Sequence, residues 1–166
     1  ANLTDHGHNV GTDENLREIF RREIEQSAEL IRTAHKNGVP IICGSESGFS
    51  LTPYGEWHYR ELEVFVKELG FSPLEAISAA TLQCGNHAGF GGETGSIAIG
   101  KLADFILVDG NPAADVTILG DKSRIKSVYV GGESMNTEPL PPRKPISGWR
   151  TSQYSASILT KDKVDS

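Results

Sequence analysis

A chain of 166 residues with 37% hydrophobic content can build one core of ordinary size, and a formal net charge of −6 argues against a general nucleic-acid surface, which would be basic. No apolar run approaches the roughly 20 residues needed to cross a bilayer, and the opening ANLTDHGHNVG has neither the basic nor the apolar region of a signal peptide. Two cysteines make no disulfide framework, so Cys43 and Cys84 read as small buried hydrophobes in a reducing compartment. The expectation is a soluble, cytoplasmic chain with no nucleic-acid and no membrane partner.

Residues 1–12 hold Asp5-His6-Gly7-His8. A His-x-His pair on an extended segment puts both imidazoles on one side, where they can share a metal. Here Gly, Asn and Thr surround the pair and no apolar strand supports it, so His6 and His8 read as unliganded. From Asp13 to Asn37 the spacing predicts a long helix, capped by Thr12 or Asp13 and stopped by Gly38. Leu16, Ile19, Phe20, Ile24, Ile31 and Ala34 form its expected buried stripe. His35 reads as a helix-terminus residue rather than a ligand.

Val39-Pro40-Ile41-Ile42-Cys43 is an unbroken apolar run, the mark of a strand buried on both faces. It breaks into Gly44-Ser45-Glu46-Ser47-Gly48 and then a loop with Tyr54, Trp57 and His58. Functional groups collect past the carboxyl ends of such strands, which puts Glu46 at a candidate site. A plain solvated turn explains the same five residues on spacing alone.

A second helix is expected from about Glu56 to Leu69, with Leu62, Phe65, Val66 and Leu69 inward and Gly70 ending it. Ser72-Pro73-Leu74-Glu75 is a capping box with proline at the first helical position, and it opens a helix to about Cys84. Strands are then expected at Ser96–Gly100, Phe105–Val108 and Lys126–Val130, with Gly131-Gly132 turning a hairpin into Glu133-Ser134-Met135. Beyond Thr137 the chain is polar and proline-rich, and reads as a surface or disordered tail.

Taken in order, these stretches resemble a known family. Gly95-Ser96-Ile97-Ala98-Ile99-Gly100-Lys101-Leu102-Ala103-Asp104, with Ser72–Thr81 before it, is similar to the carboxyl-terminal signature of the amidohydrolase superfamily. Gly38–Gly48 resembles the last barrel strand of its imidazolonepropionase- and prolidase-like branch.

The resemblance implies an α/β fold: the last β/α unit of a (β/α)8 TIM-type barrel (residues 1–84), strands of an accompanying small β-sandwich (85–136) and a polar tail (137–166). It also implies hydrolysis of amide or related C–N bonds in a small, dipeptide-like molecule by metal-activated water. On that basis Glu46 is the metal ligand and general base, Tyr54 and His58 contact substrate, and Trp57 walls the pocket. Read without the resemblance, His58 is a surface or capping residue, Tyr54 packs a turn and Trp57 lies in a core.

The implied cofactor is a divalent metal, zinc first and manganese, iron or cobalt as alternatives, with ligands outside this chain. The family carries Asp where this chain has Glu46, and the extra methylene shifts the carboxylate by roughly 1.5 Å. Metal–oxygen geometry tolerates a few tenths of an ångström. One β/α unit cannot close a barrel, so the expected partners are the remaining barrel segment or a partner chain, in an oligomer. The alternative is a catalytically incomplete or degenerate subunit with an assembly role.

Overall fold

In the computed structural model, residues 13–47, 55 and 57–138 are described. His6, His8, Tyr54 and the tail from residue 139 lie outside them. By their contacts the residues separate into two units. One comprises Ala1–Ser27, Glu46–Trp57 and Glu138–Ser166, and the other comprises Ala28–Ser45 and His58–Thr137.

Helix α1 spans Glu14–Lys36, within a residue of the expected bounds at each end. The Asp13 carboxylate accepts the Leu16 amide at 2.8 Å, which caps the start. Arg17, Arg21 and Arg22 pair with Glu14 and Glu18 along its wet face. The apolar stripe behaves differently from the expectation. No α1 residue is fully buried, Leu16, Ile19 and Ile24 are exposed, and in the second unit Ala28 and Ile31 pack on the core. Periodicity marks a face that can be covered; it does not supply the cover.

The core of the second unit comes from α2 (His58–Lys67), α3 (Pro73–Ala80) and a 3-10 helix at Val116–Gly120. Leu62, Phe65, Leu69, Phe71, Ala76, Ala79 and Val116 are buried together. Phe65 and Phe71 meet with ring centroids 4.8 Å apart. The small residues of α3 permit this close packing, since Ala76 and Ala79 offer little bulk between neighbours. The α3 cap forms as the sequence predicts: the Ser72 hydroxyl accepts the Glu75 amide while the Glu75 carboxylate accepts the Ser72 amide. His35 stacks on Phe71 at 3.7 Å, with its Nε2 3.8 Å from Glu75, so it is bound to packing.

The predicted helix to Cys84 is broken in two at Thr81, which has φ −125° and ψ −85°, and resumes as α4 (Leu82–His87). In a continuous helix the Ala79 carbonyl would take the Gln83 amide. Here it accepts the Cys43 amide at 3.2 Å and the Cys84 thiol at 3.0 Å. A long-range contact has replaced a local one.

Phe105–Val108 (β1), Ile125–Val130 (β2) and Glu133–Ser134 (β3) form an antiparallel sheet in the order β1-β2-β3. Phe105 faces Tyr129, and their rings stack at 4.6 Å. Gly131 and Gly132 both take positive φ, as a two-residue hairpin requires. The expected strand at Ser96–Gly100 is absent. Gly95 and Gly100 turn the backbone at both ends with φ of 85° and 88°, and the Lys101 amide closes a turn onto Ala98. The Lys101 ammonium then gathers the Gly91 and Thr94 carbonyls and the Ser96 hydroxyl, fixing a loop. The chain is thus α/β. No described helix is long and apolar enough to cross a membrane.

Candidate functional site

Val39–Cys43 has no strand partner among the described residues. Its ends are tied instead to helices. The Val39 amide bonds the Ala34 carbonyl at the end of α1, and the Cys43 amide bonds Ala79. The Cys84 thiol donates to the Cys43 carbonyl at 3.4 Å. A sheet would have occupied the same polar groups, and here other elements satisfy part of that demand.

The next two residues are held by α2. The Gly44 amide donates to Glu61 Oε1 at 2.9 Å. The Ser45 hydroxyl lies 3.0 Å from Nδ1 of His58. His58 and Glu61 are three residues apart on one helix and so share a face, which is why one turn reaches the consecutive residues Gly44 and Ser45. The second Glu61 oxygen, Oε2, is buried. Burial pushes the Cys43 thiol up to about 12, reinforced by the Glu61 carboxylate beside it and then by Cys84. That thiol stays protonated at neutral pH, and both cysteines are free. The Cys43 thiol is not a nucleophile in this state.

Glu46 follows directly. It is exposed, and its φ of 48° makes it the one non-glycine residue with left-handed backbone among those described. An L-residue there costs roughly 1–2 kcal/mol. Such conformations persist where the surroundings over-determine them, and they gather at functional sites.

Of the residues singled out from sequence, Ser45 and His58 are brought together, and Glu46 adjoins Ser45 in the chain. Trp57 is half-buried with its indole nitrogen shielded from solvent. Glu61 was not singled out. Its signal was the spacing to His58, and nothing local shows that the pair faces residues 44 and 45. Among the described residues, no three His, Cys, Asp or Glu side chains converge as a metal-holding group. One exposed carboxylate does not make the divalent metal site that the resemblance implies.

The amidohydrolase family model matches residues 2–135. An imidazolonepropionase from Syntrophobacter fumaroxidans is 41% identical over 92 residues, which are 55% of this chain and 22% of that protein. Ochratoxinase from Aspergillus niger is 34% identical over 104 residues, 60% of this chain and 20% of that one. Among solved structures, a Bifidobacterium longum protein assigned as a prolidase aligns with a TM-score of 0.73 at 30% identity, covering 85% of this chain and 33% of its own. A Xaa-Pro dipeptidase with methionine bound in its active site aligns with a TM-score of 0.66 at 26% identity, covering 81% and 32%. The chain spans about a fifth of the length of these curated relatives and about a third of these structures.

Proposed function

Because the chain belongs to the amidohydrolase family, we propose that it is the carboxyl-terminal portion of a hydrolase that cleaves amide or related C–N bonds in a small molecule. The observation that carries this reading is the family match, which runs from residue 2 to 135 and so includes Glu46. The relatives' names, imidazolonepropionase and Xaa-Pro dipeptidase, favour a cyclic amide or dipeptide-like substrate. Residues up to 84 then contribute the last β/α unit of a (β/α)8 barrel, and residues 85–136 contribute strands of its β-sandwich. The other barrel units come from further sequence or a partner chain.

In this reading Glu46 is the general base. Its carboxylate takes a proton from water as the water oxygen bonds to the amide carbon, and returns it to the nitrogen as the C–N bond breaks. Nε2 of His58 meets a substrate oxygen, because Nδ1 is engaged by Ser45. Tyr54 also contacts substrate, and Trp57 walls the pocket. Glu46 would be one ligand for zinc, or for manganese, iron or cobalt, with the others outside the described residues, so the chemistry assigned to this chain is proton transfer and positioning.

That no convergent ligand group occurs among the described residues favours a second reading, a catalytically incomplete subunit with an assembly role. The two separate in one experiment. The purified chain, alone and with candidate partner chains and added zinc, manganese or cobalt, is assayed on acyl amides and aminoacyl-proline dipeptides. The enzymatic reading expects hydrolysis that Glu46→Gln lowers by about 100-fold or more. Hydrolysis untouched by Glu46→Gln removes Glu46 from the chemistry. No hydrolysis and no bound metal in any assembly leaves the assembly role.

A further inference from the structure

We propose that the first turn of α2 is a clasp that sets how the chain enters Glu46, with Ser45, His58 and Glu61 acting as positioning residues for that carboxylate. The proposal rests on the reading of Glu46 as the hydrolytic base. Three consecutive residues are held in turn. Cys43 is fixed at both its amide and its carbonyl, by Ala79 and Cys84. Gly44 gives its amide to Glu61, and Ser45 pairs with His58. No strand ladder supports this segment among the described residues, and these bonds restrain it.

Two features give the clasp its strength. The Gly44 bond is charge-assisted, which makes it shorter and stronger than a neutral pair. The Glu61 carboxylate is also half-buried, with Oε2 shielded, so water competes weakly for it. The residue that follows the clasp is the one with left-handed backbone, at φ 48°. A backbone in that region is maintained by its flanks, and on one flank the flank is residues 43–45. The clasp also divides the His58 ring: Nδ1 serves position and Nε2 is left for substrate.

The test compares truncating with conservative substitutions in the assembly that shows hydrolysis. Ser45→Ala and Glu61→Ala are expected to lower kcat by about 10- to 100-fold with KM changed less than about threefold, since misplacing a reacting group by 1 Å has that scale of effect. Ser45→Thr and Glu61→Gln keep the hydroxyl and the acceptor, and should recover most of kcat. His58→Asn retains a polar atom near the Nδ1 position but loses Nε2. It should restore the Gly44–Ser45 geometry relative to His58→Ala while its KM stays raised.

Amide hydrogen exchange at Gly44 reads the clasp without any assay. Exchange should quicken by about tenfold or more in Glu61→Ala and stay slow in Glu61→Gln. Unchanged exchange in Glu61→Ala overturns the clasp, whether or not hydrolysis is seen. Altered exchange with full kcat in both truncations overturns the positioning role alone. Slow exchange at Gly44 in a wild-type chain that hydrolyses nothing removes the enzymatic reading and leaves the clasp standing.

Discussion

Phe65, Phe71, Ala76 and Ala79 are 5, 6, 0 and 2% exposed, whereas Ile106, Leu107 and Val130 on the sheet are 47, 49 and 54% exposed. Both regions are apolar in sequence. The helical region closes on itself, because α2, α3 and the 3-10 helix bury their apolar faces in one shared cluster. In the sheet, Ile106 and Leu107 point to opposite faces of β1 and both meet solvent. Strands apolar on both faces are those that elsewhere lie between two layers. Hydrophobicity thus has two meanings in one chain: a core already made, and a surface shaped for cover.

The sharpest way to break the comparison is Phe65→Ala. Removing that ring should cost about 3–5 kcal/mol, seen as a large fall in the denaturant midpoint, while Ile106→Ala should cost far less. If the two cost the same, the core is not where the burial places it. Next is Gly120→Ala. An added Cβ would meet the Tyr59 ring at 2.6 Å, so a loss of about 1–3 kcal/mol is expected by the same measurement.

Ser72→Ala should cost about 1 kcal/mol through the lost helix cap. It should also change the acid limb. The Ser72 amide and then its hydroxyl hold the Glu75 carboxyl below the usual range. A depressed carboxyl contributes stability above its unfolded value, near 4.5, and loses it as pH falls through the folded value. The wild-type chain should therefore lose more stability below pH 4.5 than the variant does. The smallest effect belongs to the loop. Ile97→Ser and Ile99→Ser, at residues 90 and 108% exposed, should change stability by less than about 0.5 kcal/mol in this chain. A larger loss at either position would show that the loop is covered.

What could be read from the sequence was local. Ser72 and Glu75 sit three residues apart, and Gly131-Gly132 supplies its own turn, so cap and hairpin follow from bonding within a few residues. The Ser96–Gly100 strand failed for a reason just as local but overlooked: glycines at both ends and a lysine positioned to collect carbonyls. At the site, Glu46 could be read as the end of an apolar run, and His58 as a loop-to-helix residue. Their relation could not. The stripe of α1 shows the opposite limit, since its spacing was right and its burial was not.

The sequence by itself determined α1, α2 and the capped start of α3, the hairpin, the family resemblance and the candidate carboxylate. Each depends on residue type at spacings of a few positions, where the backbone enforces contact. Only the tertiary structure decided that Glu61 reaches back 17 residues to Gly44, that His58 reaches back 13 to Ser45, and that Cys84 meets Cys43 across 41. Such contacts form when separate elements pack, and no periodicity encodes them.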